Sequence, residues 1–182
     1  MSRKSDFRIA VSIFALVLVL VLSFSGYYLY IKVGINQPLQ KQLLAIEGVE
    51  SVTLNQQGQH YKIDVNLDKV ENLQKVYREL KQTVDGALPK HNYVLNLVDR
   101  PDQNLEDFMQ HIQPAVYESL SNHRFIWLDQ EMAQRSAAQG LKYKLFVDQE
   151  NLYIQVENDD AYICQVISRQ KDTGSAEVAA GA

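Results

Sequence analysis

The sequence is poor in the residues that hold small proteins together covalently or through metal ions. One cysteine, Cys164, occurs among the 182 residues, so no disulfide can form within the chain. The four histidines show no His-x-x-x-His or His-x-His spacing; they are His60, His91, His111 and His123. We therefore predict no metal or cofactor site, and no catalytic role for these histidines or for Cys164.

The short motifs of the common enzyme classes are also missing. There is no Gly-x-Ser-x-Gly turn for a nucleophilic serine and no glycine-rich loop that could surround a phosphate group. The densest carboxylates, Glu157, Asp159 and Asp160, do not follow the spacing of a calcium-binding EF-hand loop. A solvated turn between two strands explains them better than a weak Ca²⁺ site. We predict that the protein is not an enzyme.

The chain has no excess of positive charge. It contains 18 Lys plus Arg and 22 Asp plus Glu, a net charge of −4. Residues 1–8 hold three basic residues and one acidic residue, so the remainder has 15 basic and 21 acidic residues and a net charge of −6. Such a surface repels the phosphate backbone of nucleic acids, and no Gly-x-x-Gly loop of a KH module occurs. We predict no nucleic-acid partner.

The most prominent feature that is present is one long apolar segment near the N-terminus. Residues 9–31 form an uncharged run of 23 residues. At about 1.5 Å per residue, a helix of this length crosses a hydrocarbon core of about 30 Å. Tyr27, Tyr28 and Tyr30 fall where aromatic residues collect at a membrane interface. We predict a transmembrane helix over residues 9–31.

A cleaved signal peptide is the alternative for this segment. The small residues of Ser23-Phe24-Ser25, before Gly26, offer a cleavage site. The apolar character resumes after Gly26, which favours a retained anchor.

The charges that flank the segment predict its orientation, because Lys and Arg collect on the cytoplasmic side. Arg3, Lys4 and Arg8 precede the segment, whereas Lys32 and Lys41 follow it at wider spacing. We predict a cytoplasmic tail over residues 1–8, a linker over residues 32–37 and an extracytoplasmic C-terminal domain. The protein would then be a single-pass protein of the cell membrane.

Residues 38–100 are predicted to form an α-β-β-α-β module. A short helix lies between Pro38 and Gly48, and alternating apolar residues around the polar turn at residues 56–59 predict a β-hairpin. Asp68, with Glu71 three residues later, is predicted to cap the next helix. The apolar face of that helix consists of Leu73, Val76, Tyr77, Leu80 and Val84. A strand over residues 92–98 completes the module.

Residues 101–169 are predicted to form a second α+β module of helices followed by a hairpin and a last strand. Asn104 is predicted to cap a helix that Pro114 kinks or divides, and a second helix ends at Gly140. The last strand contains Cys164, which we expect to be a small buried hydrophobic residue. Residues 170–182 show no apolar period and are predicted to be disordered. The predicted fold class is α+β, with a transmembrane helix followed by two modules.

The α-β-β-α-β order resembles, at the level of the fold alone, the small modules of bacterial ring-building and periplasmic assembly proteins. The stretches that begin at Gly48 and Gly140 also share a plan of strand, Gln-containing turn and second strand. This plan reflects either an internal duplication or a chance likeness between two hairpins. Fold alone does not define function, which depends on sites.

The remaining candidate functional features are surfaces that could bind a partner. Phe125 and Trp127 would anchor an interface if exposed, whereas core packing is the alternative. Open strand edges of small sheets also recruit partners. We predict a membrane-anchored binding or assembly protein whose partners are the membrane and another protein or a second copy. A tethered hydrolase with a site built from sequence-distant residues is the alternative, and a solute-sensing ectodomain is a second alternative.

Overall fold

The computed structural model describes residues 14–26, 36–58, 60–89 and 92–169. In this part of the chain, five helices and two three-stranded sheets confirm the predicted α+β class. The first helix, α1, includes residues 14–26. The other elements are α2 (Gln37–Leu44), β1 (Val49–Gln57), β2 (His60–Leu67), α3 (Leu73–Ala87), β3 (Tyr93–Val98), α4 (Gln103–Asn122), α5 (Phe125–Gln139), β4 (Lys142–Val147), β5 (Asn151–Glu157) and β6 (Tyr162–Ser168).

The large apolar side chains of α1 are exposed. Nine of them, between Phe14 and Phe24, have exposed fractions of 48% to 71%. Among the described residues, none of the helices has both the length and the apolar character needed for a membrane crossing. The two ends of the predicted span, residues 9–13 and 27–31 with Tyr27, Tyr28 and Tyr30, lie outside the described residues. The transmembrane helix therefore stays a prediction.

The first sheet has the strand order β1-β2-β3. The predicted hairpin is confirmed: β1 and β2 are antiparallel, with Leu54 opposite Ile63. β3 runs parallel to β2, so α3 forms the crossover that a parallel pair requires. One face of the sheet packs on α2 and α3, and the apolar face of α3 is buried as predicted, with Tyr77 partly buried.

The cap of α3 differs from the prediction. Asn72, rather than Asp68, is the N-cap residue, and its side-chain oxygen accepts a hydrogen bond from the Lys75 amide at 2.9 Å. Asp68 instead accepts a hydrogen bond from the Lys69 amide at 2.7 Å. Val70 is buried in the connection between these two positions, so the chain enters the core before the first helical turn begins.

The start of α4 also differs from the prediction. Asp102, rather than Asn104, is the N-cap residue and accepts a hydrogen bond from the Leu105 amide at 2.8 Å. A carboxylate at this position also interacts favourably with the positive end of the helix dipole. Pro114 does not divide the helix, which continues to Asn122. The carbonyl that loses its donor belongs to Gln110, an exposed residue, so solvent can replace the missing bond.

The second sheet is an antiparallel meander with the order β4-β5-β6. Its central strand, β5, is buried on both faces. Tyr153 packs in the cluster that contains α3, whereas Leu152, Ile154 and Val156 pack in the cluster built on α4 and α5. The second sheet is therefore enclosed between α3 on one face and the α4–α5 pair on the other.

The two halves of the chain both contribute to the first core cluster and are joined by buried hydrogen bonds. The side chain of Gln155 in β5 donates to the Val70 carbonyl at 2.8 Å and accepts from the Leu73 amide at 2.9 Å. Leu73 is the first residue of α3, so its amide has no partner within the helix. The Tyr162 hydroxyl donates to the Leu67 carbonyl at the end of β2. The modules predicted over residues 38–100 and 101–169 are thus packed against each other.

The two sheets differ in topology, which bears on the choice between an internal duplication and a chance likeness. Both β1/β2 and β4/β5 are antiparallel hairpins, but β3 is parallel to its neighbour and β6 is antiparallel to its own. The likeness between the stretches that begin at Gly48 and Gly140 is therefore confined to the hairpins.

We expect Gly48→Ala to destabilise the domain by about 2–4 kcal/mol, because two unfavourable effects combine there. Gly48 has a φ of +85°, and a Cβ atom would lie 2.3 Å from Cγ1 of buried Val70. Gly140→Ala is the matched control, since Gly140 has a φ of +67° but nothing within 4 Å of its Cβ position. Denaturant unfolding measures both variants. Equal losses of stability would contradict the steric part of the argument.

We expect Gln155→Leu to destabilise the domain by about 2–4 kcal/mol, because it leaves the Val70 carbonyl and the Leu73 amide buried without their partner. Gln82→Leu, on the exposed face of α3, should change stability by under about 0.5 kcal/mol. Denaturant unfolding of the two variants provides the comparison. A loss of stability as small as that of Gln82→Leu would mean that the Gln155 side chain does not hold the two halves together.

Candidate functional site

A cleft of about 640 Å³ lies where the edges of the two sheets approach each other. β3 is an edge strand of the first sheet and β6 is an edge strand of the second. At one end the edges join, because Arg100 and Tyr162 exchange backbone hydrogen bonds of 3.2 and 3.0 Å in an antiparallel bridge. No further backbone pair links β3 to β6 within the described residues, so the cleft opens beyond this junction.

The side chains of the cleft are apolar or uncharged polar groups, with one exception. Asp99, immediately after β3, is the one charged side chain among the lining residues. The others are Leu95, Asn96 and Leu97 of β3, Cys164, Gln165, Val166 and Ile167 of β6, Met109, Gln110, Gln113, Val116 and Tyr117 of α4, and Tyr77 of α3. Tyr77 packs in the first core cluster and Val116 in the second, so the cleft lies where the two clusters meet.

Unpaired backbone groups of β3 face the cleft. The Tyr61 amide of β2 donates to the Asn92 carbonyl at 2.7 Å. Because the groups of a strand point alternately to its two sides, this bond fixes which residues of β3 face away from β2. These are Tyr93, Leu95 and Leu97, and the N–H and C=O groups of Leu95 and Leu97 have no bonded partner within the described residues.

The same argument applies to β6 on the opposite side. The Asn158 amide donates to the Ala161 carbonyl at 3.0 Å across the β5–β6 turn. By alternation, Tyr162, Cys164 and Val166 direct their backbone groups away from β5. The Tyr162 groups are bonded at the junction with Arg100, whereas those of Val166 have no partner in the described part of the chain. Two open strand edges therefore line one cleft.

Asp99 blocks part of the β6 edge. Its carboxylate accepts a hydrogen bond from the Cys164 amide at 2.9 Å, where a neighbouring strand would otherwise offer a carbonyl. Burial raises the pKa of Asp99 from 3.8 to about 6, although the hydrogen bond from Cys164 acts in the opposite direction. A cleft that contains a titratable group with such a shift is a candidate functional site.

Cys164 lines the cleft but is not an activated nucleophile. It is buried, as predicted, and burial followed by the nearby charges of Asp99 and Glu157 raises the pKa of its thiol to about 12. Because the thiolate is the reactive species, this environment makes the sulfur inert at neutral pH.

Phe125 and Trp127 lie outside the cleft, at the start of α5. Both are half-buried and pack against the second core cluster. The Arg169 guanidinium lies 4.7 Å from the centre of the Phe125 ring, and the Arg124 guanidinium lies 4.8 Å from that of Trp127. Ile126 between them is 81% exposed. Their role as an interaction site stays a prediction.

The histidines are dispersed. His60, His111 and His123 lie at a strand start, on α4 and at the α4 C-terminus, all exposed, and His91 lies outside the described residues. Within the described residues, no group of three or more His, Cys, Asp or Glu side chains is placed to hold a metal ion.

A second polar cluster joins α3 to the turn between β4 and β5. Burial alone would raise the pKa of Asp148, but hydrogen bonds from the Asn151 amide, the Tyr153 hydroxyl and neighbouring groups lower it to about 2. The Tyr153 hydroxyl donates to this carboxylate at 2.8 Å, and the Arg78 guanidinium lies 3.5 Å from it. All partners of the Asp148 carboxylate are side chains or amides of the protein itself. The cluster therefore links α3 to the second half of the chain.

Comparison of the chain with models of known protein families, with curated proteins and with solved structures gives no match.

Sequence reasoning did not identify the cleft. Asp99 directly follows the strand predicted over residues 92–98, and Gln110 and Gln113 lie in the helix predicted after Asn104, where no sequence motif marks a site. A carboxylate directly after an alternating strand was the one available signal. The unpaired groups of Leu95, Leu97 and Val166 follow from how the two sheets meet, which the sequence does not specify locally.

We expect Asp99→Asn to stabilise the domain at neutral pH. The pKa of Asp99 is about 6 in the folded protein and 3.8 for the free side chain. The folded state therefore gains stability from protonation of Asp99. This contribution is fully present below pH 3.8 and is lost as pH rises through 6. Asparagine keeps an acceptor for the Cys164 amide without a charge. Partial solvent exposure reduces the effect, so we expect a gain of about 1–2 kcal/mol at pH 7.5.

Denaturant unfolding between pH 4 and pH 8 measures this effect. Asp107→Asn removes a carboxylate at an exposed position of α4 and is the control for the loss of one negative charge. A pH profile for Asp99→Asn identical to that of the unaltered protein would contradict the assignment.

Proposed function

We propose that the protein is a membrane-anchored extracytoplasmic binding protein that takes part in assembling a membrane complex. The observation that carries this proposal is the cleft between β3 and β6. It offers unpaired backbone groups on two sides and a lining of apolar and amide side chains, which suits the binding of another polypeptide.

The proposed anchor is the segment 9–31. The described part of this segment is helical, and its large apolar side chains are exposed rather than packed on the domain. A helix that is apolar all round is suited to a hydrocarbon environment. The basic residues Arg3, Lys4 and Arg8 support an orientation with the N-terminus in the cytoplasm.

The topology is tested with an impermeant maleimide on intact cells. Gln82→Cys places a thiol on the exposed face of α3, and it should react without lysis. The unaltered protein is the control, because its Cys164 is buried and its thiol has a pKa raised to about 12. Reaction of Gln82→Cys only after lysis would reverse the orientation. An N-terminus at Gly26, found by mass spectrometry of the mature protein, would replace the anchor with a signal peptide.

The binding role is tested by photo-crosslinking in the native membrane. Crosslinking amino acids are placed at exposed positions across the domain, including Gln113 beside the cleft and Gln82 away from it. We expect the same partner to be captured repeatedly from at least one region. Absence of any reproducible partner at every position would contradict the proposal.

One observation favours the tethered-hydrolase alternative. Asp99 combines a raised pKa with a position in the cleft, as a general acid or base would. A hydrolase would lose turnover on Asp99→Asn while keeping its fold. A binding protein would keep its partner after the same substitution, since the acceptor for the Cys164 amide is retained.

A further inference from the structure

We propose that the cleft between β3 and β6 binds a single extended polypeptide segment without acidic side chains, which adds as a strand between the two sheets. This inference rests on the proposed binding function and specifies its partner. The inserted segment would join the order β1-β2-β3 to β6-β5-β4 as one continuous sheet.

The hydrogen-bonding groups of the cleft carry the proposal. Leu95 and Leu97 present N–H and C=O groups on one side, and Val166 presents its own on the other. An extended chain alternates its backbone groups between its two sides, so it can bond to both edges at once. Apolar ligands and nucleic acids do not supply such a pattern of donors and acceptors on two opposite sides.

The need to bond to both strand edges favours a free segment over a folded partner. The edge strand of another sheet is already bonded on one side, so it could pair with β3 or with β6 but not with both. The antiparallel bridge at Arg100 and Tyr162 also closes one end of the cleft. The occupant must therefore be one unpaired strand that begins or turns at this junction.

The charges of the cleft define the chemistry of the segment. Asp99 is the one charged group in the lining, and the chain after residue 8 has a net charge of −6. A carboxylate in the segment would be placed beside Asp99 in a partly desolvated site, which is unfavourable. The amide side chains of Gln110 and Gln113 can donate to and accept from an uncharged segment.

The test uses the full chain in lipid nanodiscs and a combinatorial library of synthetic, end-capped nonapeptides. We expect the retained peptides to be poor in Asp and Glu. The strongest of them should slow hydrogen exchange at the Leu95, Leu97 and Val166 amides at least tenfold. Methylation of alternate backbone nitrogens of the peptide should weaken binding at least tenfold, because it removes donors and keeps the side chains.

A matched pair of variants locates the site. Gln113→Trp fills the cleft from α4 and should weaken peptide binding at least tenfold, whereas Gln82→Trp, also at an exposed helical position, should not. Equal binding by both variants, protection confined to β1 or β4, or full binding by the methylated peptide would each overturn the proposal.

Three other results would also overturn it. Failure of the library to yield any peptide retained at 100 µM would show that the cleft does not bind free strands. Protection of the three amides without added peptide, if lost on deletion of residues 170–182, would make the chain its own occupant. Protection that rises with protein concentration would assign the cleft to a second copy. Reproducible capture of a partner in the native membrane, away from the cleft, would leave the binding function intact in each case.

Discussion

The arrangement of the domain depends on one buried amide, the side chain of Gln155. It lies on the central strand of the second sheet, yet both of its partners, the Val70 carbonyl and the Leu73 amide, belong to the connection into α3. A buried amide without these partners would cost several kcal/mol, so this pair of bonds permits one position of α3 against the second sheet. Together with the hydrogen bond between Tyr162 and Leu67 and the bridge between Arg100 and Tyr162, it fixes the relative placement of the two sheets.

The cleft is a consequence of this placement combined with Asp99. The two sheets meet at Arg100 and Tyr162, and β3 and β6 form no further backbone pair beyond this junction within the described residues. Next to the junction the Asp99 carboxylate accepts the hydrogen bond of the Cys164 amide, and the edges separate. A charged group directed at a strand edge is a known means of preventing unwanted pairing. Burial of this carboxylate lowers stability at neutral pH, and under the proposed function this loss accompanies a strand edge that stays open for a partner.

Local patterns predicted much of the fold because they reflect which side of an element is buried. The stripe from Leu73 to Val84 and the hairpin around residues 56–59 were found in this way. The caps at Asn72 and Asp102 were missed, because several Asn and Asp residues close together are equally good candidates and tertiary packing decides between them. The cleft was missed for a stronger reason: an unpaired strand edge is defined by what does not lie beside it.

The contacts between the halves also bear on the order in which the chain folds. Each sheet is built largely from hairpins and a crossover between neighbours in sequence, whereas the bonds of Gln155 and the Tyr162 hydroxyl span 82, 85 and 95 residues. Contacts of such long separation close large loops and form late. Each half can therefore acquire its secondary structure early, while the cleft exists only after docking. Under the proposed function, a newly made chain would become competent to bind only in its last folding step, and premature capture of a partner would be avoided.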